Sequence, residues 1–340
     1  MCGDNSGGRP SARHRSEQGW GRAAPPRRRL QALIDVVLPV FLVIGAGYAS
    51  VRAGYFSDIH VEALMKYAQG FAIPCLLFRA IWTLDLGAGF DAALLFSFYA
   101  GALSGFFAGF AAARFLFGRS LEDAIAIGFA CLFSNSVLMG LPLTERAFGP
   151  EALVGNYAII ALHAPFCYFV GVTAMELARA SGTGRAGGET ALRVLRGMFG
   201  NALVIGIMLG FAFNLTGISL PGAVTDAVDM IVRTGLPVAL FGLGGILVRY
   251  KPQGDMRVIL TVCAISLVLH PTVTFALTHL LGVPLAGTRS AVLTAAMAPG
   301  VNAYIFSNLY GAAQRVAASS VLFATGLNLL TAWAWLHVLP

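Results

Sequence analysis

The segment FSNSVLMGLPLTERAFG at residues 133–149 sets Asn135, Ser136, Gly140 and Pro142 inside an otherwise apolar stretch. Near the other end of the chain, AAMAPGVNAYIFSNLYG at residues 295–311 does the same with Pro299, Gly300 and Asn302. Glycine and proline weaken a helix, and a broken helix frees backbone N–H and C=O groups. Inside a bilayer such groups are tolerated only when buried in protein or lining a cavity. Half-helices that begin near Ser136 and Gly300 would point free N–H groups and positive dipole ends at mid-depth. Their neighbours Ser134, Asn135, Ser136 and Asn302 are neutral hydrogen-bonders, and no acidic residue lies in either break. A cation or proton exchanger is expected to keep a carboxylate there. The pair of breaks therefore suits an anion. The alternative is an anion symporter in which asparagines and backbone carbonyls hold a sodium ion, and the sequence leaves proton, sodium or no coupling open.

The rest of the chain explains why those segments belong in a membrane. Of 340 residues, 57% are hydrophobic and 11% charged, with a mean hydropathy of +0.75. Soluble proteins carry about 25% charged residues, so a soluble enzyme is excluded. Runs of the roughly 20 apolar residues that cross a bilayer recur from about Ile34 onward. They predict an all-α integral membrane protein of ten helices, near 33–51, 60–82, 91–117, 121–148, 152–178, 197–216, 223–248, 256–281, 287–310 and 315–338. A multi-pass protein of the cell inner (plasma) membrane is expected. The longest polar connection, Ala180–Arg196, is a Gly- and Ser-containing cytoplasmic linker between two five-helix repeats at 33–178 and 197–338.

The halves resemble each other in register. Val43-Ile44-Gly45 recurs as Val204-Ile205-Gly206, 161 residues on; Pro74 answers Pro237 at 163; Asp91 and Gly118 answer Asp255 and Gly282 at 164. At that last offset Asn135 aligns with Pro299 and Ser136 with Gly300. An odd number of spans per half inverts the second half, an architecture common in secondary transporters, whose binding sites sit at paired interruptions. Pro74, Gly140, Pro142 and Pro237 are read as helix-breaking positions. The connections after odd-numbered spans hold 11 Arg and Lys against 3 on the other side, placing the linker in the cytoplasm.

The net charge of +7 comes mostly from the first 30 residues, where seven arginines face Asp4 and Glu17; the remainder nets +2. A nucleic-acid partner has nothing to rest on. The tail lacks the apolar core of a signal peptide and is expected to be dispensable, with the natural start near Leu30–Leu33. Five scattered cysteines without a CxxC pair suggest neither disulfides nor a metal site. No catalytic or cofactor motif is present. An enzyme is not expected, and a non-transporting membrane receptor is the remaining rival.

SNSVLMGLPLTERAFG resembles the fourth-span signature of the auxin efflux carrier family, with an asparagine ahead of Gly-x-Pro-Leu. PGVNAYIFSNLYG and FAIPCLLF are similar to the corresponding ninth- and second-span segments, so the resemblance covers about 33–338. It implies the ten-helix fold shared with bile-acid symporters and sodium/proton exchangers. Spans 1, 2, 6 and 7 would form a scaffold able to pair two copies as a homodimer. Spans 3–5 and 8–10 would form a moving domain with crossed fourth and ninth helices. It also implies an organic-acid substrate such as malonate. Asn135 matches the crossover asparagine; Ser134 replaces the proline usual in plant members, and their long loop is missing, so auxin itself is disfavoured.

Three further residues could couple ions. Asp85 falls where plant members carry an acidic residue, and His163 and His270 lie mid-span beside Pro165 and Pro271. For the histidines, a hydrogen bond across helices is the plainer expectation. Asn156 and Asn328 are expected either to line the cavity or to tie helices together. Asp229 and Arg233, four apart, are expected to pair along one helix.

Overall fold

A computed structural model describes residues 33–84, 91–183 and 201–339, and every regular element in them is helical. The basic tail, Asp85 and most of the linker lie outside the described residues. In chain order the helices are α1 (33–52), α2 (58–82), α3 (Ala92–Leu116), α4a (Leu121–Leu132), α4b (136–148), α5 (Leu153–Thr183), α6 (Ala202–Thr216), α7 (Gly222–Leu247), α8 (Met256–Leu280), α9a (Leu285–Ala295), α9b (Val301–Tyr310) and α10 (Gln314–Val338). Among the described residues, six helices are long and apolar enough to cross a membrane: α1, α3, α5, α7, α8 and α10.

Most prolines do not break these helices, and the backbone shows why. Four wide π-turns, Leu33–Val37, Ala68–Ala72, Ser136–Gly140 and Ile265–Leu269, each end two residues before a proline: Pro39, Pro74, Pro142 and Pro271. A proline has no N–H to give and its ring presses on the carbonyl four residues back. Widening the preceding turn accommodates both defects without ending the helix. Pro74, Gly140 and Pro142 therefore lie in continuous helix, and Pro237 lies inside α7. The true interruptions are short and lie elsewhere, at 133–135 and 296–300.

Two helix pairs are packed backbone to backbone. Gly47 and Gly244 bring α1 and α7 together, the space for a Cβ at each being filled by the carbonyl of Phe241 and of Ile44. Gly206 and Gly210 seat α6 on α2 against Pro74, Phe78 and Ile81. Small residues are how helices approach closely where no hydrophobic drive separates lipid from protein. On the other side of the molecule α3 packs on α4a and α8, and α9a packs on α5 and α8.

The third and eighth helices share local devices. Asp91 caps α3 by accepting from the N–H of Ala93, and Asp255 caps α8 by accepting from the N–H of Arg257. Each helix contains a π-turn, and Gly118 and Gly282 follow at φ of +62° and +66°, where a glycine is favoured.

Candidate functional site

The two interruptions cross. The N–H of Asn135 donates to the carbonyl of Ala298 at 2.8 Å, and the N–H of Gly300 donates to the carbonyl of Phe133 at 2.9 Å. Ser134 and Pro299 face each other between these bonds as an isolated antiparallel bridge. Unwound backbone thus satisfies itself across the crossing instead of along a helix. Helix α4b starts after Asn135 and α9b after Gly300, and neither start has a side-chain cap. These starts are 165 residues apart, one more than the sequence register suggested, because the second interruption is longer.

A cavity of about 330 Å³ opens at the crossing. It is lined by Ser134, Asn135, Ser136, Gly300 and Asn302 together with His163. No Asp, Glu, Lys or Arg lines it. Asn135 and Ser134 are 6% and 3% exposed, yet Asn135 Nδ2 and Ser134 Oγ have no hydrogen-bond partner. Leaving a buried donor unpaired costs about 1–3 kcal/mol. Two such donors at the edge of a cavity beside two uncapped helix starts mark a place that a hydrogen-bond acceptor completes. The hydroxyl of Tyr168 donates to Asn302 Oδ1 at 3.3 Å, which leaves the Asn302 NH2 for the cavity.

His163 Nε2 donates to the Ser134 carbonyl at 3.1 Å, while its Nδ1 faces Cys167 Sγ at 3.8 Å. The ring packs on Phe133 and Phe98, with centroids 4.7 and 5.6 Å away. This is the cross-helix hydrogen bond, and it fixes the neutral tautomer with the proton on Nε2. His163→Phe should lower transport about tenfold by freeing the crossing, a loss near 1 kcal/mol, whereas His163→Gln retains most activity in the same uptake assay. Phe98 also touches His270, centroids 5.3 Å apart, but His270 lies outside the cavity with Nε2 unpartnered. Pro74, Gly140, Pro142 and Pro237 do not line the cavity either.

Asn156 and Asn328 tie helices together instead of lining the cavity. Asn156 Nδ2 donates to Thr144 Oγ1 and Thr294 Oγ1 at 3.2 and 2.7 Å, joining α5 to α4b and α9a. Asn328 Nδ2 donates to the Ala296 carbonyl at 2.8 Å, fixing the second interruption. Asn156→Ala should cost about 1–3 kcal/mol of stability, read as a lowered midpoint of thermal unfolding in detergent. Asp229 does not pair with Arg233. Its Oδ1 accepts from Arg79 Nε at 3.0 Å, so the ion pair joins α7 to α2. Gln69, Asn201 and Tyr168 were not singled out in the sequence, although Gln69 and Asn201 line the cavity. A polar residue one turn before the proline of α2 was the available signal for Gln69.

A family profile described as Membrane transport protein matches residues 32–336. The chain is 26% identical over 264 residues to the lysosomal cholesterol signaling protein of Mus musculus, covering 72% of this chain and 30% of that protein. It is also 26% identical over 215 residues to an uncharacterized transporter of Methanothermobacter thermautotrophicus, covering 62% of this chain and 66% of that one. The chain thus spans less than two thirds of the length of either relative. With the profile running through both interruptions and across nearly all the described helices, this chain belongs to the membrane transport protein family, the auxin efflux carrier group that its fourth-span motif resembles.

Proposed function

We propose that this chain is a secondary transporter that moves a small organic anion, a mono- or dicarboxylate such as malonate, by an elevator-type motion. The observation that carries the reading is the pair of unpartnered buried donors, Asn135 Nδ2 and Ser134 Oγ, at a cavity free of charged side chains. Neutral donors and helix starts bind a carboxylate without fixing it too tightly to leave.

The ten-span inverted repeat and the two-domain division belong to this proposal. The matched caps, π-turns and terminal glycines of α3 and α8 support the repeat. The division is supported by the cavity's position. It lies between Gln69–Ile73 of α2 and Ala202–Ile207 of α6 on one side and the crossing on the other. Those first two helices belong to the glycine-packed pairs of the proposed scaffold. Sliding the crossing past them would carry the site across the bilayer. With the linker in the cytoplasm of an inner (plasma) membrane, Ser181→Cys should react with an impermeant maleimide only from the cytoplasmic face. Labelling from outside intact cells would reverse the topology.

Uptake of labelled malonate into proteoliposomes, under sodium and pH gradients imposed separately, tests function and coupling together. Movement of sodium or protons without any organic anion would overturn the reading. A second reading, binding of a sterol without transport, is favoured by the name of the mouse relative and by the apolar part of the lining, Ile73, Leu138, Ile160 and Ile207. Saturable cholesterol binding with no carboxylate flux would select it.

A further inference from the structure

A second cavity, of about 290 Å³, lies beyond the crossing and is lined by Arg79, Thr83, Glu145, Tyr157 and Asp229 among others. Along every shared helix it is displaced in one direction. It touches α2 at 76–83 instead of 69–73, α4b at 141–145 instead of 136–138, and α5 at 153–157 instead of 160–165. At about 1.5 Å per residue, Glu145 sits roughly 15 Å past Asn135. Ile73, Leu76, Leu138, Leu141, Leu153 and Ile160 are all buried and fill the layer between the two spaces. The first cavity borders Asn201, at the end of the linker, so the second lies toward the external face in the proposed topology.

Arg79 is the single cation lining this second cavity. Asp229 engages its Nε at 3.0 Å, and its guanidinium lies 5.3 Å from the centre of the Trp82 ring. Neither terminal nitrogen makes a hydrogen bond among the described residues, and the side chain is 29% exposed. A guanidinium has five N–H groups in a planar fork. Asp229 therefore anchors one edge and leaves the end-on edge, which suits the two oxygens of a carboxylate. Glu145, on α4b across the cavity, is exposed and has no ion-pair partner among the described residues. The Arg79–Asp229 pair is neutral, so Glu145 alone sets the sign of the space, and it opposes an incoming anion.

We propose that Arg79, held by Asp229, is an external docking site for the carboxylate of the transported anion, with Glu145 as its built-in competitor. The proposal rests on the organic-anion reading above. In the sliding motion α4b carries Glu145 relative to Arg79, so the competitor's approach releases the docked anion toward the moving site.

Malonate titration of the intrinsic fluorescence of the purified full chain tests this, because Trp82 lies against Arg79. A saturable change is expected that vanishes in Trp82→Phe. The dissociation constant should rise about ten- to hundredfold in Arg79→Gln, the loss of charge-assisted hydrogen bonds, and less in Arg79→Lys, which keeps charge but loses the fork. It should fall severalfold in Glu145→Gln, whose unpaired, exposed side chain makes misfolding no explanation. An unchanged constant in both Arg79→Gln and Glu145→Gln, or a response reproduced by chloride at equal ionic strength, would overturn the site. An Arg79-dependent titration without malonate flux would sustain the site and defeat only the transport reading. Normal flux with a silent Trp82 and an unchanged external KM in Arg79→Gln would defeat only the site.

Discussion

Asn135→Ala is expected to reduce malonate transport far more than it reduces stability. The carboxamide makes no side-chain cap and its Nδ2 has no partner, so no hydrogen bond within the protein is lost with it. The backbone N–H of residue 135, which bonds the Ala298 carbonyl at 2.8 Å, is retained in alanine. What disappears is one donor to the ligand. A hydrogen bond to a charged group is worth roughly 1.5–3 kcal/mol, or about a ten- to hundredfold loss of affinity. Asn302→Ala should be milder, because Asn302 lies inside α9b, two residues past its N-cap, and one of its groups is already taken by Tyr168. The two variants should be compared as purified protein of equal monodispersity, by the concentration dependence of uptake. Wild-type rate and affinity in monodisperse Asn135→Ala would remove the crossing from the binding site.

Gly300→Leu should be more damaging still. Gly300 lines the cavity and its N–H holds the Phe133 carbonyl, so the residue serves the crossing and the site together. A Cβ there would meet Phe133 Cδ1 at 3.3 Å and the Asn135 Cα at 3.6 Å. The backbone at φ −72° and ψ 162° accepts any residue, so alanine should be tolerated with a small adjustment of the Phe133 ring. Leucine cannot be tolerated in that way, since its branches must enter the cavity or force α9b outward. Overpacking of this kind costs roughly 1–3 kcal/mol, or about five- to 150-fold in affinity. A graded series of alanine, valine and leucine at this position, measured as uptake, should fall with side-chain volume. Uptake independent of that volume would show that the cavity is not the transport path.

The site's location was legible because it depends on which residue types sit where in an apolar run. Asn135, Ser134, Ser136, Gly300 and Asn302 were all selected from sequence, and the fold brings them to one cavity. The prolines misled for a physical reason. A proline announces a defect in hydrogen bonding but not how the chain absorbs it, and here a π-turn absorbs it at Pro74 and Pro142. The interruption of the fourth helix is set instead by pairing with a segment some 165 residues away, which no local signal encodes. Asp229 illustrates the same limit. Spacing along one helix offered Arg233, whereas the packing of α7 on α2 supplied Arg79. His163 could be placed mid-span, but its bond to the Ser134 carbonyl needed the crossing to be built first.

Equilibrium counterflow of malonate in proteoliposomes isolates the central claim, because it needs no ion gradient and no knowledge of coupling. Vesicles preloaded with unlabelled malonate should accumulate labelled malonate transiently with the wild-type chain and not with Asn135→Ala at the same concentration. Equal accumulation by both proteins, or none with any carboxylate while cholesterol binds saturably, would contradict it.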